Sequence, residues 1–516
     1  MPFELSRRAF LASSFAAAAS AQAPGKRPNI IVIMADDMGF SDIGCYGSEI
    51  PTPNLDRLAS NGVRLTQFYN TARCCPTRAA LLTGLYSHQA GIGHMVLPLN
   101  HPSYQGFLND KCVTIGEVMK AAGYRTAMSG KWHVGEDRPH WPTDRGFERY
   151  FGLISGASSY FRLDAGRQMA IDAQPYTPPA DGSFYMTDAF TDHALQFIDG
   201  FKQDPYFLYL AYTSPHWPLH ASAEDIARHR GRYQKGWDVL RRERHERQVR
   251  MGIVDAKWKV TERDAKVAAW ESEKDQDDMD LRMSVYAAQI ERMDRNIGRL
   301  IKKLEDTKQL DNTMILFLAD NGGCAEENIG GEKPGAAGGP DSYTSYRTGW
   351  ANASNTPFRL YKHWMHEGGI SSPLIAHWPT RQWKRGSIDK TQPAHLIDIM
   401  ATCIDAAGAK YPERAGVLPL EGKSMLPIFE GRKRAGHEYL AWEHEGNRAV
   451  RQGDWKLVSK HPGGWELYNI PADRTETNDL AFKDPGRVER MAALYDGWAK
   501  RCNVLPWAQY QKLRKG

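Results

Sequence analysis

Apolar segments of strand length recur along the chain and alternate with stretches of helical periodicity. They occupy residues 30–35, 124–128, 206–212, 313–319 and 373–377. Continuous apolar runs are typical of strands buried on both faces, and the intervening helices provide the crossovers that parallel strands require. The sequence therefore predicts an α/β fold, with a large, mostly parallel or mixed sheet covered by helices on both faces.

Two of the helices are well signalled. Thr114 and Glu117 form a capping box ahead of an apolar stretch that stops at Gly123. A 3.6-residue apolar period runs from Met283 to Leu304 and indicates a helix that faces the core.

Residues 223–280 are highly charged, with nine Lys or Arg between Arg228 and Arg250. We interpret this segment as a solvated helical insertion in a large α/β domain that spans residues 27–425. A basic surface for a substrate or partner is the alternative interpretation.

The C-terminal part of the chain has a different pattern. Short strand-like runs at 439–442, 455–458 and 465–468 are separated by turns, and a helical period follows from Val488 to Trp498. This pattern predicts a smaller α+β subdomain, an antiparallel sheet plus a helix, over residues 426–516.

The N-terminus has the features of an export signal. Arg7-Arg8 precedes an apolar stretch at 10–19, and small residues end in Ala19-Ser20-Ala21. We predict a signal peptide of the twin-arginine type over 1–21 and a bacterial periplasmic or secreted location; an ordinary Sec signal is the alternative. No other apolar run approaches the roughly 18 residues that span a bilayer, so we expect no stable membrane insertion.

Composition limits the classes of partner. The 516 residues carry a formal net charge of +5 and no basic tail, which argues against nucleic acid as a partner and leaves an anionic small substrate open. The seven cysteines are too sparse for a disulfide scaffold, and because their number is odd at least one thiol is unpaired.

Polar side chains follow four of the predicted strands. Asp36-Asp37, Lys131 with His133, His216, and Asp320-Asn321 each come directly or shortly after an apolar run. Because the carboxyl ends of parallel strands meet at one edge of a sheet, these side chains should converge there. Three carboxylates and one amide oxygen suit a hard divalent ion, Ca²⁺ first and Mg²⁺ second; carboxylates paired with Arg or Lys are the alternative.

A candidate nucleophile lies in the segment Cys74 to Gly84. Pro76 fits a first helical turn and Gly84 a C-terminal cap, so Cys74 should lie just ahead of a helix N-terminus, where anions bind. Arg78, one turn further, adds positive charge. A purely structural cysteine is the alternative.

Cys74-x-Pro76-x-Arg78 followed by Leu82-Thr83-Gly84 resembles the signature of the type I sulfatases, the formylglycine-dependent, arylsulfatase-like members of the alkaline phosphatase superfamily. In that family the first cysteine is oxidised to formylglycine by a formylglycine-generating enzyme. The resemblance extends from Arg27 through 453–457 and 466–469, and Thr77 stands where Ser is more usual.

The resemblance implies a role for each matching position. Asp36, Asp37, Asp320, Asn321 and the formylglycine at position 74 match the ligands of one Ca²⁺ ion. Lys131 and His133 match the residues that hold sulfate and the aldehyde hydrate, and His216 and Lys362 match those near the leaving oxygen. His363 matches no functional position, and we expect it to be a surface histidine.

The resemblance also implies the reaction. One hydroxyl of the hydrated aldehyde would attack sulfur and the other would expel sulfate, which a plain Ser or Thr cannot do. We expect His216, aided by Lys362, to protonate the leaving alcohol and His133 to act as base; which of His216 and Lys362 donates the proton stays open.

The substrate class is only partly constrained. Residues 350–362 resemble a branch that contains both arylsulfatases and exo-acting sugar sulfatases, so the expected substrate is a small aryl or glycan sulfate ester. Tyr160, Phe161, Trp217 and Trp237 could stack on its ring. The alternatives are a phosphodiester or phosphonate monoester hydrolase of the same superfamily, and an inactive protein that binds sulfated glycans.

Overall fold

The computed structural model describes residues 27–327, 329, 336–381 and 383–515. The predicted signal peptide, residues 1–21, lies outside the described residues. None of the helices within these ranges is both long and apolar enough to cross a lipid bilayer.

Strands and helices alternate through most of the chain. The strands are β1 (Asn29–Ala35), β2 (Val63–Tyr69), β3 (Arg125–Gly130), β4 (Arg149–Leu153), β5 (Met169–Ile171), β6 (Gln174–Pro175), β7 (Tyr206–Ala211), β8 (Thr313–Ala319), β9 (Ser371–His377), β10 (Ser387–Asp389), β11 (Ala394–His395), β12 (Leu440–His444), β13 (Asn447–Gln452), β14 (Trp455–Ser459) and β15 (Glu466–Asn469). The α-helices are α1 (Pro53–Ser60), α2 (Cys74–Thr83), α3 (Ile115–Ala121), α4 (Met186–Phe201), α5 (Ala223–Ala227), α6 (Gly236–Met251), α7 (Gln276–Asp306), α8 (Arg347–Ser354), α9 (Glu367–Ile370), α10 (Ile397–Ala407), α11 (Leu426–Phe429), α12 (Pro485–Arg501) and α13 (Trp507–Lys515).

The large sheet has the strand order β10-β2-β9-β8-β1-β7-β3-β4-β5-β6, and β11 also pairs with β2. Its centre, β8-β1-β7-β3-β4, is parallel throughout. Strand β9 runs antiparallel to both of its neighbours, so the sheet is mixed. The predicted fold class is confirmed, and each of the five predicted strands is present.

Strand β1 shows why the centre of the sheet is apolar on both faces. Ile30, Val32 and Met34 belong to one buried cluster, whereas Ile31 and Ile33 belong to the other. Helices α2, α3 and α10 cover the first face, and α1, α4 and α7 cover the second. Polar chemistry is therefore confined to the ends of the strands.

Both predicted helices are present, at the capping box and at the apolar period that predicted them. The Thr114 hydroxyl accepts a hydrogen bond from the Glu117 amide at 3.1 Å, and the Glu117 carboxylate accepts one from the Thr114 amide at 2.6 Å. This capping box begins α3. Helix α7 is longer than its apolar period, because its polar first two turns extend it back to Gln276.

The C-terminal region contains a separate four-stranded antiparallel sheet, β12-β13-β14-β15. The sequence predicted three of these strands and missed β13, in which only Ala449 and Val450 are apolar. Leu440 and Trp442 of this sheet share the buried cluster that lies under α2 and α10. The boundary between residues 425 and 426 stays a prediction.

The charged segment 223–280 is not simply a solvated insertion, and that expectation is wrong for one face of α6. Arg244 is fully buried and pairs with Asp42 at 2.6 Å and with Glu49 at 2.9 Å. Trp237 packs edge-on against Trp270 at a centroid distance of 4.7 Å. The guanidinium charge of Arg244 can be buried because its partners are the carboxylates of Asp42 and Glu49, nearly 200 residues away in the chain.

A fully buried group of charges joins the small sheet to the large one. The ammonium of Lys456, on β14, lies 3.0 Å from Glu367 and 2.8 Å from Glu476, and Arg474 lies 2.9 Å from Glu367. Although burial favours the neutral acid, Lys456 and Arg474 lower the pKa of Glu367 to about 2. Since Glu367 precedes β9, these ion pairs fix the small sheet against the large one.

We expect Lys456→Ala to lower the free energy of unfolding by about 3–5 kcal/mol, because two buried carboxylates lose their shared cation. Urea unfolding followed by tryptophan fluorescence measures this change. Lys500→Ala, on the exposed face of α12, is the matched control and should change stability by less than about 0.5 kcal/mol. Equal stability of the two variants would show that the buried charges do not couple the sheets.

Candidate active site

Polar side chains from neighbouring strands meet at one buried edge of the large sheet. Asp36 follows β1, Lys131 follows β3 and Asp320 follows β8, and all three are inaccessible to solvent. The structure brings the predicted site residues into this one region: Asp36, Asp37, Cys74, Arg78, Lys131, His133, His216, Asp320, Asn321 and Lys362.

The candidate nucleophile lies at the N-terminus of a buried helix. Cys74 is the first residue of α2 rather than just ahead of it, and Arg73 is the extended N-cap residue. At the other end Gly84 adopts φ 65°, the left-handed C-cap that glycine favours. The unpaired amides and the dipole of α2 therefore point towards the space beside the Cys74 side chain.

The carboxylates of this edge are held by basic side chains. Lys131 lies 2.6 Å and Arg78 lies 3.2 Å from the same oxygen of Asp36. The ammonium of Lys362 lies 2.9 Å from Asp37. Three cations that can also face an anionic substrate are thereby gathered around two carboxylates.

The pKa values of Asp36 and Asp320 are shifted in opposite directions by burial and by the charges around them. Although burial opposes ionisation, Lys131 and other cations hold the pKa of Asp36 well below its usual range. Burial, with the charge of Asp36, raises the pKa of Asp320 well above its usual range. A bound cation would relieve this repulsion, because it would favour the ionised form of both groups.

Two oxygen atoms at this edge lack a hydrogen-bond partner among the described residues and suit a hard metal ion as ligands. One oxygen of Asp36 and the amide oxygen of Asn321 are buried without a hydrogen-bond partner in the described part of the chain. Asn321 donates its amide NH₂ to Asp37 at 2.7 Å, which orients its oxygen away from that carboxylate. The Asp37 backbone, at φ 63°, donates to Asp320 at 3.0 Å and so joins the two strand ends.

His133 stands beside the paired cysteines. Its ring nitrogens lie 3.4 Å from the Cys75 sulfur, and burial lowers its pKa to about 4. The hydrogen bond of Cys75 and the charge of Lys131 hold the pKa of the Cys74 thiol well below its usual range, despite burial. The unmodified cysteine is thus in an electropositive surrounding. All seven cysteines are buried and unpaired.

His216 has an oxygen atom facing each ring nitrogen. Nδ1 lies 2.5 Å from the Trp217 carbonyl oxygen, and Nε2 lies 3.3 Å from the Asp37 carboxylate. Both neighbours are hydrogen-bond acceptors, so the ring of His216 is held between the Trp217 carbonyl and the Asp37 carboxylate.

A cavity of about 200 Å³ opens next to Lys362 and is lined by Arg73, Cys324, Ala325, Glu326, Tyr361, His363 and Trp364. Glu326 lies 2.9 Å from Arg73 and accepts a hydrogen bond at 2.7 Å from the Trp217 indole. Sequence reasoning missed Arg73 and Glu326, because neither stands in a pattern with a chemical meaning of its own.

Two expectations about side chains near this cavity need correction or refinement. His363 is not a surface histidine: it lines the cavity and its ring lies 3.2 Å from Glu445. Tyr160 and Trp237 are buried in the core, Phe161 packs against Tyr185 and His220, and Trp217 stands beside the cavity.

Comparison with known proteins gives a consistent result. Residues 28–409 match the family model described as Sulfatase, and residues 358–496 match the model described as N-sulphoglucosamine sulphohydrolase, C-terminal. The chain is 35% identical to an uncharacterized sulfatase of Schizosaccharomyces pombe, over 90% of this chain and 92% of that protein. It is also 35% identical to an arylsulfatase of Klebsiella aerogenes, over 80% of this chain and 94% of that protein.

A solved structure is similar to this one over most of both chains. The fold is similar to that of Ps i-CgsB in complex with k-i-k-neocarrahexaose, with a TM-score of 0.69 and 27% identity over 92% of this chain and 93% of that one. Since a single family model covers residues 28–409 and two relatives of known family align over most of the chain, the protein belongs to the sulfatase family of hydrolases.

Proposed function

We propose that this sulfatase releases inorganic sulfate from an organic sulfate monoester, with position 74, converted from cysteine to formylglycine, as the nucleophile. The observation that supports the proposal is the place of Cys74, at the N-terminus of α2 and within the electrostatic reach of Lys131. A sulfate monoester is an anion, so a nucleophile can approach it only where positive charge is gathered.

We assign the metal site to Ca²⁺. Asp36, Asp37, Asp320 and Asn321 provide oxygen donors only, which is the set that Ca²⁺ prefers and Zn²⁺ does not. The unpartnered oxygens of Asp36 and Asn321 support this assignment, and Mg²⁺ is the second candidate. A bound Ca²⁺ would polarise the sulfate oxygens and lower the charge of the site.

The formylglycine would supply a nucleophile with paired hydroxyls, which can release its own sulfate ester where a serine would remain esterified. Lys131 and Arg78 would hold the sulfate oxygens, and His133 would accept the proton when sulfate is released. His216 and Lys362 both contact Asp37. They would therefore lie on the side of the leaving oxygen, with His216 as proton donor.

The lining of the cavity beside Lys362 favours a sugar over a plain aryl ring as the leaving group. Arg73 and Glu326 offer hydrogen-bonding groups to hydroxyls, and the Trp364 ring offers an apolar face. The structural relative bound to a neocarrahexaose supports the same preference. We therefore propose a carbohydrate sulfate as substrate and aryl sulfates as weaker ones.

Maturation and location complete the proposal. Cys74 is buried in the folded protein, so a formylglycine-generating enzyme would act before or during folding. Arg7-Arg8 would then direct export of the folded enzyme to the periplasm or medium of a bacterial cell.

Thr77 connects the proposed nucleophile to the proposed metal site. Its hydroxyl donates to the backbone carbonyl of Asp320 at 2.6 Å and accepts from the Thr71 amide at 3.1 Å. Arg78, the next residue, donates to the carbonyl of Lys131 at 2.7 Å. These two side chains hold α2 against the ends of β8 and β3.

Cys74→Ser should release at most one equivalent of the alcohol per enzyme and no sulfate, because the serine sulfate ester has no second hydroxyl that expels sulfate. We expect Cys75→Ser, the matched control at the neighbouring position, to turn over within about tenfold of the parent enzyme. Release of 4-nitrophenol and of sulfate from 4-nitrophenyl sulfate, and release of sulfate from a panel of sugar sulfates, measure both variants. Peptide mass spectrometry of position 74 accompanies each assay.

Sustained turnover by an unmodified serine would disprove the formylglycine nucleophile. Hydrolysis of phosphodiesters or phosphonates but not of any sulfate would favour the alternative reaction on this fold. Binding of sulfated glycans without turnover by fully converted protein would favour the inactive binding protein.

Asp320→Ala should remove bound calcium and abolish activity while the fold survives, because β8 is held by its buried apolar side chains. Metal analysis after dialysis measures occupancy, and circular dichroism checks the fold. Asp405→Ala, at an exposed position of α10, is the control that should keep calcium. A folded Asp320→Ala protein with stoichiometric calcium would contradict the assignment.

Thr77→Val should lower kcat/KM by at least about tenfold, because α2 loses its hydrogen bond to the end of β8 and the nucleophile shifts. The free energy of unfolding should fall by about 1–3 kcal/mol, since a buried carbonyl loses its donor. Thr77→Ser keeps the hydroxyl and should remain close to the parent in both measurements. Equal effects of the two substitutions would show that packing, not the hydrogen bond, matters.

A further inference from the structure

A group of histidines lies outside the residues assigned to the reaction. His94 comes from the loop after α2, and His444 and Glu445 come from the end of β12 and the turn that follows it. One nitrogen from each ring and one carboxylate oxygen of Glu445 all lie within 4.8 Å of one another. We call these three residues the histidine cluster.

His444 is the least expected member. Its side chain is completely buried, and neither ring nitrogen has a hydrogen-bond partner in the described part of the chain. Burial, and then the nearby His94, hold its pKa well below the usual range. A buried imidazole without any partner is destabilising unless something else binds its nitrogen.

Glu445 is directed at the two rings by a demanding backbone conformation. It adopts φ 52° in the turn between β12 and β13, a region that disfavours side chains such as Glu. One carboxylate oxygen lies 2.8 Å from Nε2 of His94 and 3.8 Å from Nε2 of His444. The other lies 3.2 Å from Nδ1 of His363.

Outer partners orient the members of the cluster. The Tyr510 hydroxyl, on α13, lies 3.0 Å from Nδ1 of His94, which leaves Nε2 towards Glu445. The Asn447 amide donates to Nε2 of His363 at 3.1 Å, so His363 carries its proton on Nδ1 and donates it to Glu445. Hydrogen bonds of this kind support the ligands of transition metals in proteins.

We propose that His94, His444 and Glu445 bind a transition-metal ion, Zn²⁺ by preference. Two neutral imidazoles and one carboxylate are a common three-ligand set for Zn²⁺ and leave a fourth position open. The nitrogen donors distinguish it from the oxygen-only edge proposed for Ca²⁺. Ligands of a tetrahedral Zn²⁺ stand roughly 3.3 Å apart. The rings of His94 and His444 are stacked with centroids 5.0 Å apart, so they must rotate relative to each other for both nitrogens to bind one ion.

The surrounding charges permit such an ion. Arg73 is the nearby cation that acts on His444 and Glu445, and its charge is offset by Glu326 at 2.9 Å. The ring of Trp507, also on α13, stacks on His94 at a centroid distance of 5.7 Å. A metal held by His94 would therefore fix α13 against the loop and the small sheet.

Cobalt(II) and zinc titrations of the full-length mature protein test the site. Cys74→Ala serves as the background, because Cys74, Cys75 and His133 form a second group that could take a soft metal. With calcium present, we expect one saturating equivalent of Co²⁺, with visible absorption typical of a tetrahedral ion and no thiolate band. Zn²⁺ should displace the Co²⁺ and raise the midpoint of thermal unfolding.

Glu445→Gln should weaken Zn²⁺ binding at least tenfold and remove most of the thermal shift, and because Glu445 is only half-buried this variant should fold. His444→Ala should abolish binding. His193→Gln, on α4 and away from the cluster, is the control and should bind as the background does. Absence of saturable Co²⁺ or Zn²⁺ binding, or binding that Glu445→Gln leaves unchanged, would overturn the proposal.

Discussion

Electrostatic repulsion among Asp36, Asp37 and Asp320 is the constraint on which the rest of this structure depends. Three carboxylates in a solvent-free edge are unstable unless cations stand close to them. Arg78 and Lys131 are placed there by α2 and β3, and both are fully buried. A site that must gather positive charge for its own stability is already suited to bind an anionic ester.

The sheet makes this arrangement possible because its central strand β1 is buried on both faces and carries apolar side chains there. Both faces of β1 are buried, so the only polar groups that this strand can bring to the site are those beyond its end. Helix α2 then approaches the same edge with its N-terminus, and Thr77 attaches it to the carbonyl of Asp320. The proposed nucleophile and the proposed metal donors thus lie on α2 and at the strand ends, and the buried Thr77 side chain joins the two.

Much of this could be predicted from the sequence, because apolar runs followed by Asp-Asp or Asp-Asn report strand ends directly. Lys362 was identified only through the resemblance to a family, since no local pattern marks it. The direction of β9, the burial of Arg244 and the pairing of His363 with Glu445 could not be predicted. Each depends on a partner that is distant in the chain. A single sequence does not show which distant segments come into contact.

The proposed leaving-group side of the site is built differently from the proposed sulfate side. Of the residues proposed to hold sulfate, Lys131 follows the central strand β3 and Arg78 lies on the buried helix α2, whereas Arg73, Glu326 and His363 come from a helix cap and two separate loops. Loops tolerate substitution better than buried strand ends, because fewer neighbours fix their side chains. In the proposed function, the reaction and the choice of alcohol can therefore change independently. Because His363 joins the cavity to Glu445 and the C-terminal sheet, a substitution in that sheet would alter which ester is accepted and leave Lys131 and Arg78 undisturbed.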